Sequence, residues 1–368
     1  MARIAEQAGP VTGGVDTHAD VHVAAVVDQV GRVLGTQAFP ATAAGYRAAV
    51  AWMSSHGELA KAGVEGTGSY GAGLARYLAA CGIEVAEVIR PNRQARRQRG
   101  KSDAADAVAA ALAALSGEAS GMPKTRDGAA ESIRALRVAR AGAVKARTQA
   151  GNQLRDLILT APEQVRRQLA GIPSKRQAET AARFRPGGLT SPAEGAKAAM
   201  ASVARRHQQL TAEIARLDAA LEELVTHAAP AGFLAKQGVA TQVAATLLAT
   251  TGDNPGRVRT DASFAALCGA SPVDASSGKQ RRHRLNRGGD RQANSALWTI
   301  AMTRLAHDPR TKAYAARRTA EGKTAKEIIR CLKRYIAREI YKAICRPPQP
   351  GTVSTPQAKQ DLLTPVLT

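Results

Sequence analysis

An aspartate set beside an apolar run places the first demand on this chain. Asp16 follows Gly13-Gly14-Val15 and precedes Thr17-His18-Ala19-Asp20 and then Val21-His22-Val23-Ala24-Ala25-Val26-Val27, an apolar-rich stretch with the length and β-branched content of a buried strand. Its carboxylate therefore belongs in or beside a sheet core, where an ionised group is costly unless it is paired. Glu65 ends the short run Ala62-Gly63-Val64 and opens Gly66-Thr67-Gly68-Ser69-Tyr70-Gly71, so a strand gives way there to a glycine-rich turn. Asp103 and Asp106 stand three apart in Ser102-Asp103-Ala104-Ala105-Asp106-Ala107-Val108, a strong helix former, and share one face on which they repel each other.

Four carboxylates in such positions suit a hard divalent cation, magnesium above all with manganese as a substitute, because such ions take a few carboxylates together with water and phosphate oxygens. Taken singly, each acid has a plainer use: Asp103 complements a helix dipole, Asp16 sits in a turn, and Glu65 is a solvated strand end. Together, in a basic chain, they point to a metal site. His18 and His22, four apart around the first strands, read as strand-face or supporting residues rather than ligands.

The charge balance names the other partner. Lys and Arg number 52 against 30 acids, a net charge of +22, which calls for a polyanion. The first 90 residues hold six Lys/Arg and eight Asp/Glu, so the positive excess lies downstream of the first acids. It gathers in two places. Arg90 to Lys101 carries Arg93, Arg96, Arg97, Arg99 and Lys101 immediately before Asp103, where a phosphate backbone could be held against the acids. Ser276-Ser277-Gly278-Lys279 leads through Arg281, Arg282, Arg284, Arg287 and Arg291 across a glycine-rich loop that suits phosphate contact. A serine there is either part of a flexible polar turn or a nucleophile for phosphorus, and composition does not choose. Further cations from Arg310 to Arg338 decorate helices with an apolar face of Ile328, Leu332, Ile336 and Ile340. With 3% aromatic residues, base stacking has little to work with.

Cys81, Cys268, Cys331 and Cys345 have no close pairing, which disfavours zinc and disulfides and fits a reducing cytoplasm. The start Met1-Ala2-Arg3-Ile4 has no secretory apolar region, and no run reaches the roughly 18 apolar residues of a membrane span.

The order of signals predicts an α/β N-terminal domain, with strands near 12–17, 21–28, 33–39, 61–65 and 84–89 and helices near 43–56 and 72–81, forming a mixed sheet with helices packed on it. Residues 1–115 make this domain. Residues 116–231 make a linker and long helices, in which Met200, Val203, His207, Leu210, Ile214, Leu217, Leu221 and Leu224 recur at three- and four-residue steps. That seam serves either a hairpin with the 129–160 helix or a dimer. Residues 232–345 form a mainly α C-terminal domain, and 346–368, rich in Pro, Gln and Thr, a disordered tail.

Along nearly its whole length the chain resembles the transposases of the insertion-sequence "one-ten" type. The resemblance rests on Gly14-Val15-Asp16-Thr17-His18, Val64-Glu65-Gly66-Thr67-Gly68-Ser69-Tyr70, Lys101-Ser102-Asp103-Ala104-Ala105-Asp106-Ala107, Phe264-Ala265-Ala266-Leu267-Cys268-Gly269, Ser276-Ser277-Gly278-Lys279 and Asn286-Arg287-Gly288-Gly289-Asp290-Arg291, in that order. It implies a RuvC-like domain whose Asp16, Glu65, Asp103 and Asp106 bind magnesium, and a C-terminal domain in which Ser277, with Ser276 as neighbour, forms a covalent phosphoserine link to DNA. It further implies a coiled-coil homodimer or a tetramer on donor and target double-stranded DNA, a noncoding bridge RNA as guide, and a place on the nucleoid. The family's helix-hairpin-helix turn of Pro-Gly-Ile-Gly type is replaced here by Lys236-Gln237-Gly238-Val239-Ala240-Thr241. The competing expectation is a RuvC-type nuclease or junction resolvase that cleaves with activated water. A third is a basic nucleic-acid scaffold whose acids do nothing.

Overall fold

A computed structural model describes residues 9–88, 102–277, 283–284 and 286–346. The chain divides into two compact units, one of residues 1–132 with 251–257, the other of 133–250 with 258–368.

The first unit is built on a five-stranded sheet in the order β3-β2-β1-β4-β5. Its strands are β1 (Pro10–Thr17), β2 (Val21–Val27), β3 (Val33–Pro40), β4 (Glu58–Glu65) and β5 (Glu84–Val88). β1 runs antiparallel to β2 and parallel to β4, which is parallel to β5, so the sheet is mixed as expected. Every residue of β1 after Pro10 is buried, whereas β3 at the edge is largely exposed. On one face α1 (Ala43–Ser54) and α2 (Ala72–Ala80) bury Met53, Leu74 and Leu78 against Val15, Val26 and Val64. Thr42 caps α1 by accepting from the Gly45 amide.

The opposite face is covered by α3 (Asp103–Leu115). Its buried side is made of Ala107, Ala110, Ala111 and Ala114, and it meets glycines on the sheet. A Cβ on Gly14 would stand 2.1 Å from the Ala111 amide nitrogen, and one on Gly63 would stand 2.2 Å from the Ala110 carbonyl oxygen. Alanine facing glycine brings the helix axis far closer to the sheet than branched side chains would allow.

A downstream segment closes this unit. Asp253 accepts from the amides of Ala130 (2.7 Å) and Glu131 (3.3 Å), and the Asn254 side chain donates to the Pro123 carbonyl (2.9 Å) and accepts from the Thr125 amide (3.3 Å). The end of the stretch that leads into the long helices, expected to be part of a linker region, is thereby tied down at residues 123, 125, 130 and 131.

The second unit is helical apart from a two-stranded ribbon. Two long helices, α4 (Ala129–Thr160) and α7 (Pro192–Ala228), run antiparallel, joined by α5 (Glu163–Leu169) and α6 (Ser174–Ala182). Ile133 packs with Leu221 and Val225 near one end, and Leu154 with Met200 near the other. Arg140 makes two hydrogen bonds to Asp218 between these helices, and Arg206 bonds Gln153. The seam read from the sequence is therefore used within the chain: Met200, Ile214 and Leu221 are buried and the other seam residues are half-buried. Around α8 (Thr241–Thr251), the helices α9 (Asp261–Leu267), α10 (Arg291–His307), α11 (Pro309–Ala320) and α12 (Ala325–Cys345) enclose a core of Phe233, Leu247, Phe264, Leu297, Ile300, Ile336 and Ile340. The 236–241 turn is part of this packing. Gly238 has φ +87° and faces Ile300, while Lys236 pairs with Glu339.

None of the cysteines at 81, 268, 331 and 345 is in a disulfide. Among the described residues no helix is long and apolar enough to cross a membrane.

Candidate active site

Two parallel strands that end side by side create the first part of the site. Val15 of β1 is in register with Val64 of β4, so Asp16 and Glu65 follow at neighbouring carboxyl ends, where ligand sites of such sheets gather. Gly14 and Asp16 are two apart, as are Gly63 and Glu65, so each acid shares a strand face with the glycine that admits α3. The same close packing thus sets the helix against the sheet and aims its first turn at the acids. Ser102 caps α3 by accepting from the Ala105 amide (3.2 Å), which fixes Asp103 and Asp106 in that turn.

The resulting arrangement is crowded with negative charge. Asp16 and Asp106 are both 6% exposed, whereas Asp103 is exposed. Burial pushes the Asp16 carboxyl above its usual range; His18 opposes this, and Asp106 and Asp103 add to it. The His18 Nε2 lies 3.1 Å from an Asp16 oxygen and 3.5 Å from an Asp103 oxygen. Among the described residues, Asp16, His18 and Asp103 each offer a ligand atom, all within 4.8 Å of one another. The set fits a divalent cation: oxygen-rich, one carboxylate buried and electrostatically uncomfortable, one imidazole nitrogen at hand.

Asp106 joins the electrostatics of Asp16 but lies outside that trio, one helical turn from Asp103. Glu65 also lies outside it, one strand away from Asp16 at a ladder spacing of about 4.8 Å. Its backbone carbonyl accepts from the Thr17 hydroxyl (2.9 Å), which ties the two strand ends together. His18, read as a strand-face or supporting residue, stands between two of the acids. It follows the strand end, where the alternation of side chains that hid its direction no longer applies. Sequence reasoning also passed over Arg126, the one described non-glycine residue with positive φ (57°), whose guanidinium donates to the Gly68 carbonyl in the turn after Glu65 (3.1 Å).

In the second unit, β6 (Val273–Asp274) and β7 (His283–Arg284) form a short ribbon leading to and from the serine loop. The Ser276 hydroxyl donates to Asp274 (2.5 Å), which also accepts the Ser276 amide, and these bonds hold the Asp274 carboxyl below its usual range. Ser277 is exposed. Lys279, Arg281 and Arg282 lie outside the described residues, as do Arg93, Arg96, Arg97, Arg99 and Lys101. Arg284, Arg287 and Arg291 are exposed, open to an anionic ligand.

The glycines and the aspartate among them have structural work. A Cβ on Gly289 would stand 2.2 Å from the Gly269 nitrogen, and Asp290 caps α10 through the Gln292 and Ala293 amides while accepting from Thr250.

Residues 13–161 match a family model described as Transposase, of the DEDD IS110 type, and residues 233–316 match one described as Transposase IS116/IS110/IS902 family. Together these span well over half of the chain. A curated relative, the "Insertion element IS110 uncharacterized 43.6 kDa protein" of Streptomyces coelicolor, is 34% identical over 119 residues, which are 32% of this chain and 28% of the relative. The match thus spans little more than a quarter of that relative's length.

Proposed function

Because this chain belongs to the IS110-type transposase family, we propose that it cuts and rejoins DNA strands of a mobile insertion element. The observation that carries the reading is the approach of α3 to the sheet, which sets Asp103 and Asp106 against the buried Asp16 carboxylate. A divalent cation, magnesium or manganese, bound there would neutralise the charge of a scissile phosphodiester. Asp16 and Asp103 would hold it, with Glu65 and Asp106 adding negative charge nearby and His18 within reach.

In the reaction we propose, the Ser277 oxygen attacks phosphorus, its proton passes to a base, and the bond from phosphorus to the 3′ oxygen breaks. The products are a 5′ phosphoserine linkage and a free 3′ hydroxyl. Attack by the 3′ hydroxyl of another strand reverses the step and reseals the backbone without an external energy source. Both serines are exposed, and Ser276 already donates its hydroxyl to Asp274, which favours Ser277 as the nucleophile. Exposed Arg284, Arg287 and Arg291, with the neighbouring cations of the loop, would stabilise charge on the phosphoryl oxygens. A bridge RNA that pairs with donor and target DNA would supply sequence choice, leaving the protein to read backbone shape. A homodimer, or a tetramer on DNA, would supply two such centres, working on the nucleoid in the cytoplasm.

The test uses full-length protein, its flanking transcript and end-labelled DNA, with covalent adduct resolved on a denaturing gel. Wild type gives an adduct that Ser277→Ala abolishes and Ser276→Ala retains. Cutting by Ser277→Ala at the wild-type rate with no adduct in either protein would sink the serine mechanism in favour of metal-activated water.

A further inference from the structure

A second concentration of charge belongs to the helical unit. A cavity of about 440 Å³ in the second unit is walled by Gly269–Pro272 and the β7 strand on one side and by α11 and α12 on the other. Six cations line it: Arg284, Arg318, Lys323, Arg330, Lys333 and Arg334. Glu327 is the one acid among the lining residues, and it is already engaged in the cap of α12 through Thr324.

The balancing of these charges is incomplete. Arg334 reaches Asp261 with one nitrogen (3.0 Å), and Arg318 reaches Glu321 (2.5 Å). Yet Nη1 of Arg334 and Nε of Arg318 are buried with no hydrogen-bond partner among the described residues. Lys333 is 6% exposed, and its ammonium donates to a neutral group, Asn294 Oδ1 (2.8 Å). Neither Lys333, Arg330 nor Arg284 is ion-paired with a carboxylate among the described residues. Arg318, Lys333 and Arg334 thus line the cavity with positive charge that no carboxylate answers in full, and this surplus calls for an anion. Burial and the nearby Arg330 hold the Lys333 ammonium below its usual range, a cost that a bound anion would offset.

The ligand follows from the donors and the place. Forked guanidinium groups beside an ammonium match the several oxygens of a phosphate. The cavity is too large for a bare ion alone and opens beside the ribbon whose strands flank Ser276 and Ser277. We infer that this cavity is a phosphate-binding site that takes a backbone phosphate of a polynucleotide next to the serine loop. Its placement beside the reacting phosphodiester rests on the function proposed above, whereas its affinity for phosphate does not.

Calorimetric titration of the full chain with pyrophosphate tests it. Saturable binding is expected in wild type and in Arg216→Gln, an exposed site on α7. Arg330→Gln, at a half-exposed position, and Lys333→Met are each expected to weaken it by about tenfold or more. No saturation in wild type, or wild-type affinity in both variants, overturns the site. Short single-stranded DNA and RNA oligonucleotides, added as competitors, show which polynucleotide supplies the phosphate; displacement by neither overturns the assignment to nucleic acid. Ser277→Ala is expected to bind pyrophosphate as wild type does. If wild type binds pyrophosphate but forms no DNA adduct, the serine reaction falls and the phosphate site stands.

Discussion

Asp16 carries a tension between stability and use. Burial and two nearby aspartates disfavour its charged form, so without a cation it is a weak point of the fold. Asp16→Asn is expected to abolish tight manganese binding and to lower strand cleavage by roughly 100-fold or more. In chelator the same variant should melt no lower than wild type, because it removes a buried charge. A large drop in melting temperature would mean that the carboxylate holds the sheet together instead. His22 carries a different strain. It is 2% exposed, stacks on Tyr46 with ring centroids 5.6 Å apart, and leaves both ring nitrogens buried without partners among the described residues. Burial lowers its basicity, so the folded protein keeps it neutral where the unfolded chain takes up a proton. The unfolded state then binds more protons, and stability falls as pH drops below the unfolded value of about 6.5 towards the lower folded one. His22→Phe should flatten this dependence in denaturant titrations between pH 7 and 5. An unchanged slope would assign the loss to other groups.

At the scale of elements, the contact of α3 with the sheet decides whether the acids meet. Gly14→Ala places a methyl group 2.1 Å from the Ala111 amide, so helix and strand must part. The expected cost is about 1–3 kcal/mol, read from denaturant midpoints, with a proportionally larger loss of manganese affinity as Asp103 and Asp106 move with the helix. Metal affinity that survives while stability drops would show that the acids gather by some other route. The strands and helices of this unit were legible in the sequence, because β-branched runs end at Gly-rich turns and the alanine-rich run from Asp103 is a strong helix former. Asp16 in a core and Glu65 at a strand end were legible for the same reason. The intimacy of Gly14 and Gly63 with α3 was not, since a glycine in a strand signals close approach without naming what approaches. His18 escaped because its direction is set beyond the last paired residue of β1. The seam on α7 was visible as a period, but whether α4 or another chain would face it depended on pairs such as Arg140 with Asp218, which no spacing reveals.

Over the whole molecule, charge separates tasks. The acids sit in the unit with little net positive charge, and the basic cavity and serine ribbon in the other. DNA affinity should fall linearly on a log–log plot against salt, with a slope of about −0.9 for each phosphate neutralised. Arg330→Gln should reduce that slope by roughly one unit, and Asp16→Asn should leave it unchanged, as fluorescence anisotropy over a salt series would show. Equal effects from both variants would contradict the division.

The segment 251–257 has a consequence for how the molecule comes into being. Asp253 and Asn254 supply the partners of amides and a carbonyl around residues 123–131, so the sheet-bearing unit stays unfinished while the long hairpin is being translated. At about 5–20 residues per second, of order 10 s pass between the emergence of the two parts from the ribosome. A nascent chain therefore finishes its sheet-bearing unit only after both long helices have been made, and a product truncated before residue 251 would lack the partners of the 123–131 segment.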